Sequence, residues 1–276
     1  MPIPFAIPLR ETLPLAIMTR LVAIARLLIA IPPFLVALCV LGNLMIVGGL
    51  FTRRFHPALF RAWARVTIWI AGLRLTVDGR NHIDPGRQYI FVCNHQSLLD
   101  IPIVTASLPQ PPRFVAKSSL DRIPFFSAIM RQLGTITIDR ANHREAMERL
   151  RDAQRSLARH RDAIVFFAEG TRTKDGEIGP FKKGAVMTAL SLQVPIVPIA
   201  LAGAFEALPR GRFALHPGPA RVAIGAPIEV GSDTPEEKDR LMRLVQTRVG
   251  ELYEGIRHNL TDTPPDDATD DALKAA

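Results

Sequence analysis

The sequence predicts an α/β fold, with a mostly parallel or mixed sheet flanked by helices, preceded by an N-terminal membrane-embedded helical segment. From residue 74 onward, short β-rich runs alternate with helical stretches, a pattern typical of a largely parallel sheet. Residues 27–51 carry no charged side chain, and this run exceeds the ~20 residues that a helix needs to cross a bilayer. The 276 residues can therefore bury one sizeable core and carry an appendage.

The predicted membrane segment belongs to an N-terminal region, residues 1–72. Arginines lie on both sides of the uncharged run, so the distribution of basic residues leaves its orientation open. Pro32-Pro33 permits either a single span or a broken, re-entrant path. A buried core helix is the alternative to membrane embedding.

The next stretch, HPALFRAWARVTIWIAGLRL, has the periodicity of an amphipathic helix. Arg61 and Arg65 share one face, and an apolar stripe runs along another. The stripe contains Leu59, Trp63, Val66, Ile70 and Leu73. This helix either lies at the membrane interface, with its tryptophans at headgroup depth, or packs against the core of the domain.

Residues 73–258 form the predicted α/β domain. Its β-rich runs are RLTVDG, YIFVC, RFVAK, TITIDR, IVFFAEG, PIVPIAL and ARVAIG. Charged helices are expected at 144–160 and 235–257, the second with Ser232 or Asp233 near its start. The last segment, 259–276, is rich in Asp, Pro and Ala and is predicted to be an acidic, disordered tail.

Charge and composition limit the classes of partner. The net charge is +8, and residues 261–276 contribute −4 of it, which leaves +12 for the rest of the chain. Such a basic protein favours acidic partners. Aromatic residues make up only 7%, and zinc-finger spacing and basic runs beside aromatics are absent, so nucleic acid is disfavoured. Cys39 and Cys93 lie in apolar runs and indicate buried hydrophobes in a reducing compartment, with no metal-ligand spacing.

Four predicted strands end in polar residues that could carry chemistry. In chain order these are Asn94, His95 and Asp100; Lys117; Asp139 and Arg140; and Glu169, Gly170, Thr171 and Arg172. Taken singly, the basic residues could be solvated loop charges, and Glu169 could pair with Arg172 across a tight turn. Taken together, strand ends that meet at one edge would gather basic groups beside one histidine, an arrangement that suits a phosphate-bearing substrate.

His95 and Asp100 allow two interpretations, which do not exclude each other. The Ser97-x-x-Asp100 pattern is typical of a helix start, where Asp100 would accept backbone amides of the first turn. A carboxylate at that place can also reach one nitrogen of a preceding histidine, fix its tautomer and leave the other nitrogen free as a base. We expect His95 to be an exposed histidine at the strand end, with little packing of its own.

Four segments resemble the ordered motif blocks of the glycerolipid acyltransferases, particularly the lysophosphatidic acid acyltransferase branch. These are NHQSLLD, GTITIDR, FFAEGTR with FKKGA, and VPIVPIAL, which together span residues 94–201. The resemblance implies that His95 and Asp100 are the catalytic pair and that Glu169, Gly170, Thr171 and Arg172 form the acceptor-phosphate site. It also associates Arg140 with the acceptor and Lys117 with a basic position near the active site.

The resemblance implies acyl transfer from acyl-CoA or acyl carrier protein to lysophosphatidic acid, without a cofactor or metal, at the cytoplasmic side of the inner membrane. The chain lacks a Gly-x-Ser-x-Gly elbow, which disfavours a covalent acyl-enzyme. Backbone amides near the helix start after Ser97, or in the Lys117 loop, are the candidate oxyanion donors. Two alternatives stay open. One is a related acyltransferase that uses lyso-ornithine lipid, glycerol 3-phosphate or another lysophospholipid; the other is a non-catalytic protein that binds lipid at the membrane surface.

Overall fold

The computed structural model describes residues 56–119, 127, 130, 134–138, 144, 148–152, 163–212 and 215–260. The uncharged run at 27–51, Arg140 and the acidic tail beyond Leu260 lie outside the described residues. Among the helices that are described, none combines the length and the hydropathy needed to cross a bilayer.

Seven strands and five α-helices have described bounds. The strands are β1 (Leu73–Asp78), β2 (Ile90–Cys93), β3 (Pro112–Lys117), β4 (Ile136–Ile138), β5 (Ala163–Phe167), β6 (Ile196–Ala202) and β7 (Gly218–Ile224). The helices are α1 (His56–Ile70), α2 (Asp100–Ser107), α3 (Gly184–Leu192), α4 (Ala204–Ala207) and α5 (Pro235–Arg257). Short 3₁₀ helices cover Arg80–His82 and His258–Leu260.

The strands form one sheet in the order β1-β7-β6-β2-β5-β3-β4. Neighbouring strands are parallel except β6 and β7, which are antiparallel. The predicted α/β class with a mixed sheet flanked by helices is therefore confirmed. Four of the parallel strands, β2, β5, β3 and β4, are adjacent, so their carboxyl ends lie at one edge of the sheet. These are the four strands whose ends carry the candidate polar residues.

The central strands are apolar throughout because both faces of the sheet are covered. Along β2, Ile90 and Val92 belong to the cluster that contains the buried residues of α3 and α5. Phe91 and Cys93 point to the opposite face and belong to the cluster that contains residues of α1 and α2. The site at the end of β2 is therefore built on a strand that is fixed from both sides.

Helix α1 packs against α2 and β1 through part of the predicted stripe and through the residues beside it. Phe60 and Ile68 are buried in the same cluster as β2, and Leu59 and Trp63 of the predicted stripe pack against it, whereas Val66 is 38% and Trp69 80% exposed. Apart from the face of Arg61 and Arg65, the helix surface is mostly apolar, and periodicity alone does not show which of its apolar residues meet the core. Packing against the domain is confirmed, and contact of the other face with a membrane stays a prediction.

Helix α5 has the predicted bounds, but its cap lies one or two residues later than expected. Thr234 takes the N-cap position instead of Ser232 or Asp233, and its Oγ1 accepts a hydrogen bond from the Glu237 amide at 3.2 Å. Proline occupies the first turn, where its missing N–H is not needed. One face of the helix is buried as far as Tyr253 and Ile256, so its last turns lie near the loop that follows β2.

Candidate active site

Asn94 fixes the end of β2 at the point where the polar loop begins. Its side chain is fully buried; Nδ2 donates to the Leu201 carbonyl at 2.9 Å, and Oδ1 accepts from the Leu201 amide at 2.8 Å. The amide side chain thus continues the pairing of β2 with β6 for one more residue. The chain is free to turn away only after Asn94, and His95 is the first residue of that turn.

The His95 ring contacts Asp100 as predicted. Nδ1 lies 2.7 Å from Asp100 Oδ2, and the same oxygen accepts the amides of Gln96 at 2.6 Å and Ser97 at 2.8 Å. Asp100 is completely buried. The contact with the histidine ring is therefore confirmed, whereas the amides that Asp100 accepts belong to the loop before α2 and not to its first turn, because the N-cap is Leu99 and not Ser97. An ionised carboxylate only accepts hydrogen bonds, so Nδ1 carries the proton and Nε2 keeps its lone pair.

His95 is packed rather than exposed, contrary to the expectation from the sequence. Its side chain is 16% exposed, and its ring stacks on Phe167 with centroids 4.0 Å apart and planes 14° apart. Phe167 in turn stacks on Phe114 at 5.7 Å. The reason is strand order: β5 lies beside β2, with Phe167 in register with Cys93, so the aromatic ring reaches the residue that follows the strand.

The turn that follows β5 is hydrogen-bonded to both backbone groups of His95. Glu169 Oε1 accepts the His95 amide at 2.8 Å, and the Thr173 amide donates to the His95 carbonyl at 2.9 Å. Gly170 has a φ of +72°, a left-handed conformation that favours glycine. Glu169 Oε2 accepts the Gly179 amide at 3.1 Å. Both oxygens of the Glu169 carboxylate therefore accept backbone amides, and Glu169 does not pair with Arg172.

Two arginines lie at the turn. Arg172 is half-buried, and within the described ranges its guanidinium makes no hydrogen bond or ion pair. Arg210 is exposed, and its Nη1 donates to Thr171 Oγ1 at 3.2 Å and to the Arg172 carbonyl at 3.0 Å. The loop that carries Arg210 is also tied to the loop of His95, because Ser97 Oγ donates to the Leu208 carbonyl at 2.8 Å.

Lys117 lies at the same edge of the sheet but farther from His95. It is exposed at the end of β3 and pairs with Ile138 of β4. Strand β5 separates β3 from β2, so two strand spacings, about 10 Å, lie between the ends of these strands. The structure thus brings Glu169–Arg172 directly to His95 and places Lys117 at a distance that a long substrate could span.

The amides at the helix start are mostly occupied. Those of Gln96 and Ser97 donate to Asp100, that of Leu99 donates to Ser97 Oγ at 3.2 Å, and that of Asp100 to the Ser97 carbonyl at 3.4 Å. These four N–H groups already donate hydrogen bonds within the loop, so fewer backbone amides near this helix are left as candidate oxyanion donors.

Sequence analysis missed residues that support the site from distant parts of the chain. Gln96 is buried, and its Nε2 donates to the Gly176 carbonyl at 3.0 Å and to the Tyr253 hydroxyl at 2.8 Å. The Tyr253 hydroxyl donates to the same carbonyl at 2.9 Å. Phe167 and Gln96 adjoin the motif blocks, whereas no local signal marks Tyr253 or Arg210.

Among the described residues, His, Cys, Asp and Glu side chains form no group of three that could hold a metal ion. The site consists of the His95–Asp100 pair, the Phe167 ring that stacks on His95, and the turn that carries Arg172.

Comparison with known proteins supports the assignment of this arrangement to a family. The model of the family described as Acyltransferase matches residues 74–202. The 1-acyl-sn-glycerol-3-phosphate acyltransferase BAT2 of Brassica napus, a chloroplastic protein, is 34% identical over 70% of this chain and 58% of its own length. The Limnanthes douglasii enzyme of the same description is 31% identical over 74% of this chain and 67% of its own length. The chain spans only a little over half the length of several such relatives, such as 56% for that of Cocos nucifera.

A solved structure has the same fold. The crystal structure of the 1-acyl-sn-glycerophosphate acyltransferase PlsC from Thermotoga maritima superposes with a TM-score of 0.70 and 26% sequence identity, covering 85% of this chain and 97% of the other. The fold, the identity to curated relatives and the spacing of the site residues lead to one conclusion: this chain belongs to the acyltransferase family and groups with its 1-acyl-sn-glycerol-3-phosphate acyltransferases.

Proposed function

We propose that the chain transfers a fatty acyl group from an acyl thioester to the free hydroxyl of lysophosphatidic acid, giving phosphatidic acid. The observation that carries this proposal is the His95–Asp100 pair. The contact of Nδ1 with the Asp100 carboxylate supports a protonated Nδ1 and an Nε2 that can act as the base. The names of the related enzymes, each a 1-acyl-sn-glycerol-3-phosphate acyltransferase, support the choice of acceptor.

In the proposed mechanism the acceptor hydroxyl is the nucleophile. His95 Nε2 takes the hydroxyl proton while the oxygen attacks the thioester carbonyl carbon, and Asp100 stabilises the imidazolium that forms. The carbon–sulfur bond of the tetrahedral intermediate then breaks, and the thiolate takes the proton from the imidazolium. The ester and a free thiol are the products, and His95 returns to its starting state without a covalent acyl-enzyme.

The acceptor phosphate is proposed to bind beside the turn after β5. Arg172 offers a guanidinium that no described residue engages, and its planar group can make two parallel charged hydrogen bonds to a phosphate. Gly170 and Thr171 shape the turn, and Lys117 and Arg140 would add positive charge around it. Glu169 belongs to the same turn.

Two other functions are weighed against this one. A different acceptor, such as lyso-ornithine lipid, glycerol 3-phosphate or another lysophospholipid, would use the same base. The unengaged Arg172 guanidinium favours an acceptor that carries a phosphate. A non-catalytic lipid-binding protein would not need a histidine whose tautomer is set by a completely buried carboxylate, so we favour an enzyme.

The test is release of free thiol by the purified protein. Acyl-CoA and acyl carrier protein are offered in turn as donors, and thiol is measured with and without lysophosphatidic acid. We expect release that depends on the acceptor, together with formation of phosphatidic acid. A panel that contains lyso-ornithine lipid, glycerol 3-phosphate and lysophosphatidylcholine separates the alternative acceptors. Thiol release that ignores every acceptor would rule out the proposed reaction.

We also propose that the N-terminal region holds the enzyme at the membrane. Deleting residues 1–51 should release much of the protein from membranes, because the deletion removes the uncharged run at 27–51. Partial attachment is expected to persist through α1, where Trp69 is 80% exposed, and the further substitution Trp69→Ser should weaken it. The measurement is resistance of the protein to salt and carbonate extraction. Unchanged resistance after the deletion would show that this segment is not the main anchor.

A further inference from the structure

We infer that Glu169 is a positioning residue that holds the backbone of His95 in place, rather than a ligand of the acceptor phosphate. The inference rests on the proposed function, in which His95 is the base. It concerns the residue that the family resemblance groups with Arg172 in the acceptor site.

Both oxygens of the Glu169 carboxylate are used within the protein. Oε1 accepts the His95 amide at 2.8 Å, and Oε2 accepts the Gly179 amide at 3.1 Å. Glu169 is only 8% exposed. A carboxylate so placed joins two separate segments of backbone, one at the end of β2 and one in the loop before α3.

The tether, by which the Glu169 carboxylate links the amides of His95 and Gly179, adjoins other amide–carboxylate contacts. His95, Gln96 and Ser97 are consecutive, and each of their N–H groups donates to a carboxylate: the first to Glu169, the other two to Asp100. Asp100 therefore fixes the ring of His95 and the two residues after it, whereas Glu169 fixes the peptide on which the ring is mounted. Asp100 alone leaves the His95 amide without a partner.

The loop that contains Gly179 is held in place by other hydrogen bonds. Gly179 lies in the loop that also contains Gly176, whose carbonyl is held by Gln96 and Tyr253. In the same loop, Glu177 makes two hydrogen bonds to Arg257 of α5, at 2.7 and 3.0 Å. Because α5 anchors this loop, Glu169 can transmit a fixed position to His95 without contact with substrate.

Electrostatics also favours positioning over phosphate binding. Each of the two Glu169 oxygens accepts a backbone amide, an arrangement that favours the ionised carboxylate, which only accepts hydrogen bonds. An ionised carboxylate repels a phosphate. Burial raises the pKa of Glu169, and the amides of His95 and Gly179 oppose that rise. The two backbone bonds thus serve to keep a charge in a buried place where it is otherwise disfavoured.

A positioning role of Glu169 predicts that its loss lowers kcat. Displacing a reacting group by ~1 Å can lower the rate about 10²-fold. Glu169→Ala removes both bonds and should lower kcat between about tenfold and 10²-fold, while the KM values of donor and acceptor stay within about twofold. Glu169→Gln should lower kcat less, because its carbonyl oxygen still accepts one of the two amides.

Two further variants separate positioning from general loss of structure. Glu237 provides the matched control: its Oε1 accepts the Gly231 amide at 2.9 Å, at the opposite end of α5 from Tyr253. Glu237→Gln should leave kcat unchanged. A Cβ at Gly179 would lie 3.2 Å from Glu169 Oε2, so Gly179→Ala should push the carboxylate slightly and lower kcat modestly. That variant perturbs the tether even if Glu169→Ala does not fold.

The pH dependence of stability provides a separate readout. Because burial raises the pKa of Glu169, the folded protein holds this proton to a higher pH than the unfolded chain does. Its contribution to stability is present below the pKa of the unfolded chain and is lost as pH rises through the folded pKa. The Tm of wild type relative to that of Glu169→Gln should therefore fall from acidic to neutral pH, whereas the kcat defect at neutral pH should persist.

The closing experiment measures kcat, both KM values and Tm for wild type and the variants Glu169→Ala, Glu169→Gln, Gly179→Ala, Glu237→Gln and His95→Ala. A graded loss of kcat across the two Glu169 variants and Gly179→Ala, with both KM values retained, supports the inference. A raised acceptor KM at constant kcat, or unchanged kinetics in Glu169→Ala, overturns it. His95→Ala tests the base separately: activity retained there contradicts the proposed mechanism whatever Glu169 does.

Discussion

His95→Ala is expected to lower kcat by about 10²–10⁴-fold, the range that a positioned general base contributes. The substitution removes Nε2, the nitrogen proposed to take the proton of the acceptor hydroxyl. It also removes the stack on Phe167, so a modest fall in Tm is expected beside the kinetic defect. The measurements are kcat at saturating concentrations of both substrates and Tm, with circular dichroism to show that the variant is folded.

Asp100→Asn is the companion variant that tests how the base is supported. Three donors converge on Asp100 Oδ2, two of them the amides of Gln96 and Ser97. The amide oxygen of asparagine is expected to take that place and preserve the tautomer of His95. Part of the loss should then reflect the missing negative charge opposite the imidazolium, and Asp→Asn in a catalytic His–Asp pair can lower kcat by up to about 10⁴-fold. Wild-type turnover in both variants, as well-folded proteins, would show that His95 is not the base.

Arg172→Lys is expected to raise the acceptor KM about tenfold or more while the donor KM changes little. Hydrogen bonds to charged groups contribute about 1.5–3 kcal/mol, and a lysine cannot reproduce the paired, planar contact of a guanidinium with a phosphate. If Arg172 also orients the attacking hydroxyl, kcat should fall as well. The measurement is both KM values, kcat and Tm, with Arg212→Lys as the control, since Arg212 is exposed on the neighbouring loop.

A role of Arg172 in holding its own turn predicts a different result. In that case Arg172→Lys would lower Tm and affect both substrates alike. The structure argues against this, because Glu169 is bound to backbone amides and Arg210 is the residue that ties the turn, through Thr171 and the Arg172 carbonyl. A destabilised variant without an acceptor-specific defect would remove Arg172 from the phosphate site.

Substitutions of the proposed base and of the proposed phosphate ligand report on different steps. The comparison of kcat with the acceptor KM is therefore more informative than either value alone. Loss of the base should appear in kcat, because the proton moves only as the bond forms. Loss of a phosphate contact should appear in the acceptor KM, because the phosphate is bound before and during the reaction. Glu169 is expected to group with His95 in this comparison, although it adjoins Arg172 in sequence.

Sequence alone determined the features that depend on neighbouring residues. The helix over Pro235–Arg257 follows from its periodicity and proline start, and the contact of His95 with Asp100 follows from a spacing of five residues across a helix start. The β-rich runs predicted the strands and showed which strand ends carry the candidate polar residues. In each case the interacting groups are close in the chain, so local geometry limits where they can go.

Tertiary structure decided everything that depends on which strands are neighbours. Glu169 reaches the His95 amide across 74 residues of chain, and Tyr253 reaches Gln96 across 157. Phe167 covers the histidine ring only because β5 is paired with β2. The order of strands in a sheet is set by the packing of both faces and by the crossover helices together, and no short segment encodes it. For that reason the contact of His95 with Asp100 could be predicted from the sequence, whereas the residues that hold His95 in place from distant parts of the chain could not.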